Sequence, residues 1–335
     1  MQDEEKIVDE VIARLGNTIN IATPLALGKA NHVINAFYRR AKGDPSIKLN
    51  IMTALTVERP RGKSLLEKRF LEPFVDRVFG DYPDLDFELD RVNKNLPANI
   101  RVFEFYYPPG KFLQNPQAQQ DYISSNYTHV ARDLMDRGAN VIAQLIAPGE
   151  TKETSTFSLS ANPDIALDLI TMMQQRGEQE GVPFAIVGQA NPNLPYMYGD
   201  AEVEASNFHY VLDNPEYYFR IFGAPKLSTP EREHMVGLYL STIIRDEGEL
   251  QIGIGAMGDA FINSLIFRQK DKRNYQQVLQ TLELEEKFGH IINKTGGTGI
   301  LEKGLFGASE MVMDGFLHLY EAGILKRLVY DDLPI

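Results

Sequence analysis

Cysteine is absent from this 335-residue chain. Its absence excludes disulfides, cysteine-ligated zinc, iron–sulfur clusters and thiol nucleophiles. Also missing is any stretch approaching the ~18 consecutive apolar residues of a membrane span. The amino terminus, Met-Gln-Asp-Glu-Glu-Lys, has neither the basic start nor the apolar core of a signal peptide. The expected setting is the cytoplasm, with no membrane partner. Positive charge is scarce: 34 Lys and Arg stand against 46 Asp and Glu, a net charge of −12. A ligand held through many phosphates wants the opposite sign, so no nucleic-acid partner is expected. An anionic cofactor would need a local cluster of donors. Internal repeats and low-complexity tracts are lacking as well.

What is present is ordinary for a globular chain, with 43% hydrophobic and 24% charged residues. The length suggests two or three domains. Ile7, Val8, Val11, Ile12 and Leu15 recur at helical spacing, and Gly16 stands where a helix would be capped. Apolar runs over 18–22, 49–57, 101–107, 141–147, 154–160 and 184–187 read as strands. Helical patterns cover 33–38, 127–134 and 164–175, while 58–100 reads as irregular, charged and proline-containing. The alternation argues for an α/β fold with a mostly parallel sheet, against an α+β alternative that periodicity leaves open. Gly223-Ala-Pro225-Lys-Leu-Ser-Thr-Pro230 has loop composition and marks a domain boundary. Beyond it come helical patterns over 231–245, 259–268, 275–288 and 311–322, with a strand over 250–254.

Two segments carry chemistry. Gly253-Ile-Gly255-Ala-Met-Gly258 matches G-x-G-x-x-G between a strand and a helix. Small residues there let a ligand approach backbone N–H groups at a helix N-terminus. A dinucleotide site is one reading, but Asp259 puts a carboxylate where a pyrophosphate would sit, and the acid expected ~20 residues onward falls in a helical pattern instead. A tight strand–helix turn without a ligand is the other. The second segment, Leu305-Phe-Gly307-Ala-Ser309-Glu310, puts Glu310 at the carboxyl end of a strand, at or just before a helix. Open α/β sheets bind ligands at that edge, and an ionised carboxylate there can act as a nucleophile. Spacing alone equally allows a structural acid near a helix start.

Other residues admit two readings each. His32, His209 and His234 have no metal spacing and read as structural. Arg59, Arg61 and Lys63 read as phosphate ligands or as a solvated loop. Ser309 lacks a recognisable histidine partner for a triad. Thr295-Gly-Gly-Thr-Gly299 reads as a mobile lid or a flexible loop.

Four collinear segments resemble the acetyl-CoA hydrolase/CoA-transferase family. They are Pro24-Leu-Ala-Leu-Gly28-Lys-Ala-Asn31 with the helix ending Ala36-Phe-Tyr38-Arg39-Arg40, and Asn191-Pro-Asn193-Leu-Pro195 leading to Gly199-Asp200. The others are Leu250-Gln-Ile-Gly253-Ile-Gly255-Ala256 and Gly307-Ala-Ser309-Glu310-Met311-Val-Met-Asp314-Gly315. The resemblance implies two open, mostly parallel α/β domains of the CoA-transferase type with an active site between them. Residues 1–224 would form the first, and 225–335 the start of a second, incomplete one. It implies an acyl-CoA hydrolase or CoA-transferase acting on acetyl-CoA or another short acyl-CoA, with Glu310 as the nucleophile and no metal. Gly253, Gly255, Ala256, Met257 and Gly258 would bind coenzyme A, their backbone N–H groups stabilising an oxyanion. The acceptor is water in a hydrolase or a small carboxylic acid in a transferase, and both stay open. The chain departs from the family twice: Gly258-Asp259 stands where proline is usual, and the family's later Gly-Gly-Gln segment has no counterpart before Ile335. The expectation is a fragment, one half of a split enzyme or a degenerate member, forming a homodimer or pairing with a missing half. The alternative is a non-catalytic acyl-CoA-binding or assembly module.

Overall fold

A computed structural model describes residues 1–149, 155–223, 228–309 and 313–328. The chain divides by its contacts into two units, Met1–Gly223 and Ala224–Ile335.

The first unit runs α1 (Glu4–Leu15), β1 (Thr18–Leu25), α2 (Asn31–Gly43), β2 (Lys48–Ala54), α3 (Leu65–Phe79), α4 (Asp86–Val92), β3 (Ile100–Glu104), α5 (Pro116–Gln120), α6 (Val130–Asp136) and β4 (Val141–Pro148). β5 (Thr156–Ser158), α7 (Ala166–Glu180), β6 (Ala185–Ala190), β7 (Glu202–Glu204) and β8 (Tyr210–Leu212) follow. Six strands pair in parallel in the order β3-β2-β1-β4-β6-β8. β5 and β7 add a short antiparallel flap on β4. This is a doubly wound sheet, expected as α/β from the sequence, and its strand order reverses between β1 and β4.

Strand residues alternate between two cores, so both faces of the sheet are buried. Ile19, Ile21, Leu49, Ile51, Val102, Val141 and Val187 pack under Ile7, Val8 and Val11 of α1 and Val33, Ile34 and Phe37 of α2. Ala22, Met52, Ile142 and Ile186 pack under Leu134 of α6 and Leu169, Ile170 and Met173 of α7.

The irregular region expected over 58–100 holds two helices instead. α3 starts at a reciprocal capping box between Ser64 and Glu67 and carries Pro73 inside it. Its charge density and proline hid a 15-residue helix whose start signal, Ser-x-x-Glu, was legible.

The second unit runs α8 (Glu231–Thr242), β9 (Glu249–Gln251), α9 (Ala256–Lys270), α10 (Lys272–Thr281), α11 (Leu284–Thr295), β10 (Phe306–Ala308) and α12 (Asp314–Glu321). β9 and β10 pair in parallel over three residues. Ile252, Ile262, Leu265, Leu301, Leu305, Leu319 and Ile324 form its core. The single helix expected over 275–288 is two, broken where Glu283 turns left-handed at φ 54°. Among the described residues no helix is long and apolar enough to cross a membrane.

Candidate functional site

The glycine turn follows β9 directly. Gly253 and Gly255 are exposed, and Met257 is 53% exposed at its tip. Gly255 adopts φ 135°, a conformation that side chains rarely take, and serves as the N-cap of α9 without a side-chain cap. α9 therefore begins at Ala256, earlier than the pattern over 259–268 suggested. Gly258 lies inside its first turn, where a Cβ would run into the carbonyl oxygen of Gly253. The first-turn N–H groups of Ala256, Met257 and Gly258 have no acceptor within the helix. A turn of small residues thus presents unsatisfied donors at the positive end of a 15-residue helix. Asp259 sits in that same first turn, its own N–H donating to the Gly255 carbonyl at 3.0 Å.

β10 ends at the same edge as β9. Ala308 pairs with Gln251, the Ile252 N–H donates to the Ala308 carbonyl at 3.1 Å, and the Ser309 hydroxyl donates to the Ile252 carbonyl at 3.0 Å. The structure thus bonds Ser309 to Ile252, the residue just before the 253–258 turn. The Ser309 hydroxyl is used in this contact rather than in a triad. Glu310 lies outside the described residues; α12 resumes at Asp314, with Met313 as its N-cap.

The Thr295–Gly299 segment, expected as a lid or a flexible loop, is pinned. Gly297 N–H donates to Thr242 O at 2.9 Å, Gln276 Nε2 to Thr298 O at 2.7 Å, and Arg268 Nε to Gly299 O at 2.6 Å.

In the first unit, the carboxyl ends of β1 and β2 gather groups that sequence reading passed over. β1 and β4 pair only through Ile21–Val141 and Ala22–Ile142, then diverge. The segment bearing Lys29 enters the gap, bridging to Gln144. Lys29, 1% exposed, donates through Nζ to Ala54 O at 2.6 Å, Ala26 O at 3.0 Å and Leu55 O at 3.4 Å. Ala26 and Leu55 both lie in the left-handed region, at φ 52° and 43°. One ammonium therefore ties together two strained turns at the edge where such sheets take ligands. Burial pushes the Lys29 ammonium down to about 7, partly opposed by Glu104 and Glu88.

Beside it, Glu104 accepts from the Thr56 N–H at 3.0 Å. Arg91 stands 2.6 Å from Glu104 and 2.5 Å from Glu88, while Lys111 reaches Glu88 at 2.5 Å and Glu58 at 2.9 Å. Arg91, Glu88 and Glu104 are at most 3% exposed, and the Arg91 contacts are charge contacts rather than aligned hydrogen bonds. The cluster clamps the loop after β2.

The remaining sequence candidates hold the fold. Arg59 donates to Gly80 O and Tyr82 O at 2.6 Å each, and Arg61 pairs with Asp84 at 2.7 Å. His32 bonds Gln189 at 2.9 Å, and His209 Nδ1 accepts from the Ile186 N–H at 3.2 Å; burial lowers the pKa of both imidazoles. His234 lies on α8. Asn191, fully buried, donates to Phe219 O at 2.8 Å and accepts from the Asn193 N–H at 3.1 Å, a turn closing the end of β6. Among the described residues no three His, Asp or Glu side chains gather as for a metal ion.

A doubly wound parallel sheet, followed by a unit in which a glycine turn and the end of a second strand share an edge, is the fold of CoA-transferases. Two of the proteins to which the chain is similar carry that name. A 4-hydroxybutyrate coenzyme A transferase of Clostridium kluyveri is 25% identical over 142 residues, 42% of this chain and 24% of that protein. A 4-hydroxybutyrate CoA-transferase from Porphyromonas gingivalis superposes with a TM-score of 0.53 at 16% identity, over 97% of this chain and 57% of its own. RipA from Yersinia pestis superposes with a TM-score of 0.61 at 14% identity, over 97% of this chain and 59% of its own. No family model matches. The resemblance to CoA-transferases read from the sequence is thus borne out, at low identity. The chain spans about a quarter of the curated relative and under two thirds of the solved structures.

Proposed function

We propose that the chain carries the nucleophilic half of a CoA-transferase acting on a short acyl-CoA or hydroxyacyl-CoA. Residues 1–224 act as its first α/β domain and 225–335 as the beginning of the second. The observation that carries this reading is the bond from Ser309 to Ile252, the residue just before the glycine turn, at one strand edge. Glu310 is the next residue in the sequence.

The Glu310 carboxylate attacks the thioester carbonyl. The carbon–sulfur bond breaks, giving an acyl-glutamyl anhydride and CoA thiolate. The thiolate then attacks the glutamyl carbonyl, releasing the first carboxylate and leaving a glutamyl-CoA thioester. An acceptor carboxylate attacks that thioester, and the expelled thiolate takes the new acyl group. Atoms and charge balance without a metal or redox step. Backbone N–H groups of Ala256, Met257 and Gly258 face the developing oxyanion, a task suited to donors that need no reorganisation. The distant part of coenzyme A supplies binding energy that positions the thioester. A transferase is preferred to a hydrolase because the similar proteins of Clostridium kluyveri and Porphyromonas gingivalis are named transferases.

A second reading is a non-catalytic acyl-CoA-binding or assembly module, favoured by the fraction of the similar proteins that the chain spans. Acetyl-CoA and 4-hydroxybutyryl-CoA turnover, with and without acetate or succinate, separates the two. Acid-dependent exchange that Glu310→Ala abolishes is expected of the transferase. Water-driven loss of thioester points to a hydrolase. Binding without turnover would move the module reading to first place.

A further inference from the structure

The pair β9–β10 has a weakness that the rest of the second unit corrects. It comprises three residue pairs, Phe306–Glu249, Gly307–Leu250 and Ala308–Gln251, and none of the six residues is buried. Strand register is normally set by a hydrophobic face, and a slip of one residue turns every side chain over. Here that face is thin: of the six residues only Leu250 packs, partly buried, against the core of the unit. A slip would move Ser309 by about 3.3 Å along the strand and break its bond to Ile252.

Register information enters instead at the amino ends of the two strands, through one carboxylate. Asp246, just before β9, takes four backbone N–H groups. Its Oδ1 accepts from Gly304 at 2.9 Å and Glu247 at 3.1 Å, and its Oδ2 from Lys303 at 3.0 Å and Glu302 at 3.1 Å. Three of those donors are 56 to 58 residues away, in the approach to β10. The Glu247 N–H adds a bond to Gly304 O at 3.0 Å. Burial works against the Asp246 anion, but the four donors outweigh it and hold its pKa below the usual carboxylate value. It therefore stays ionised, and its bonds charge-assisted, throughout the neutral range.

Arg268 makes a second tie between the same approaches. It is 2% exposed, and its Nη1 donates to Ser241 O at 2.7 Å and Ile244 O at 2.8 Å, on the way into β9. Its Nε reaches Gly299 O, on the way into β10. A planar guanidinium with fixed donor directions suits such a brace better than a lysine would.

We infer that Asp246, braced by Arg268, is the positioning residue that sets the register of β10 on β9, and so the placement of Ser309, the residue that precedes Glu310 in the sequence, beside the glycine turn. The functional half of this inference rests on the reading of Glu310 as nucleophile; the register half does not. Asp246 lies at the end of the strand pair opposite the turn, so it acts on the chemistry only through the strands.

Amide hydrogen exchange and steady-state kinetics on the full chain and on Asp246→Ala and Asp246→Asn test it. The Ile252 N–H, bonded to Ala308 O at the far end of the pair, is the reporter. In Asp246→Ala its exchange accelerates at least ~10-fold, while that of Leu265 in the core of α9 changes less than ~2-fold. In the same variant kcat falls by about 100-fold with KM for acyl-CoA held within ~3-fold, as for a misplaced reacting group. Asp246→Asn, which keeps acceptor oxygen but loses the charge, falls between and serves if the alanine variant fails to fold. Unchanged Ile252 exchange in both variants overturns the register claim whether or not the chain turns over a thioester. Accelerated exchange with kcat intact, or a rise confined to KM, overturns the positioning claim. An unmutated chain without turnover sinks the reading of Glu310, and the exchange result then decides the register claim by itself.

Discussion

The two units solve the problem of strand registration in opposite ways. In the first, β4 and β6 pair over six residues, and β1 and β2 are buried on both faces over most of their length. Hydrophobic alternation fixes that sheet, and a slip would expose a whole row of Ile, Val and Leu. In the second, β9 and β10 share three pairs with no buried residue, and long-range bonds from Asp246 and Arg268 take over. The sheet fixed by packing leaves its carboxyl edge free to hold charge, namely Lys29 and the Arg91 cluster. Among the described residues, the carboxyl edge of the pair fixed by polar bonds carries glycines and the first-turn N–H groups of α9.

The contrast can be broken from either side. The largest effect is expected in the first unit. Arg91→Leu leaves Glu104 buried without its ion-pair partner and Glu88 with Lys111 alone, and should cost about 3–5 kcal/mol in denaturant unfolding. A loss under ~1 kcal/mol would mean that the cluster is solvated and only decorates the sheet.

Next in size is a pH effect at Lys29. Its ordinary value of 10.5 is lowered to about 7 in the folded chain, chiefly by burial, with Glu104, Glu88, Arg91 and Asp164 as the charges facing it. Between these values the unfolded chain binds more protons than the folded one. Stability should therefore rise with pH through that window, by up to about 1.4 kcal/mol per pH unit, and be flat in this term below it. Lys29→Met should abolish the rise. Urea titrations from pH 6 to 10 on both proteins measure the difference, and parallel curves would contradict the assignment.

Smaller effects separate the glycines of the turn. Gly258→Ala forces a Cβ against the Gly253 carbonyl and should cost about 1–3 kcal/mol, as overpacking does, together with acyl-CoA binding. Gly253→Ala meets nothing within 4 Å and should stay within about 0.5 kcal/mol. Thermal melts and CoA titrations of the two variants sharpen the claim that the tip of the turn is open. Equal losses would show that it is covered.

This division also explains what could be read from the sequence. Apolar runs located β1, β2, β3, β4 and β6, because packing defines them locally. α3 was missed because Pro73 and six charges mask a helix that its capping box declares. α10 and α11 merged in the reading because one left-handed residue, Glu283, breaks an otherwise continuous pattern. The glycine turn and Ser309 were legible as motifs, and their meeting at one edge follows from the parallel pairing of β9 with β10. Asp246 and Arg268 were invisible. Apart from the N–H of Glu247, their partners are backbone groups 24 to 58 residues away, and backbone groups leave no mark in a sequence. Lys29 looked like part of a motif, and only the fold exposes its three carbonyl partners.

The central claim is that Glu310 forms a covalent bond with the acyl-CoA substrate, and intact mass followed by peptide mapping tests it most directly. After brief exposure to acetyl-CoA or 4-hydroxybutyryl-CoA, the chain should gain the mass of a CoA thioester on the peptide containing Glu310. Glu310→Gln should gain none, and its turnover should fall by at least about 1000-fold. Turnover that survives Glu310→Gln, or an adduct that maps elsewhere, would contradict the account.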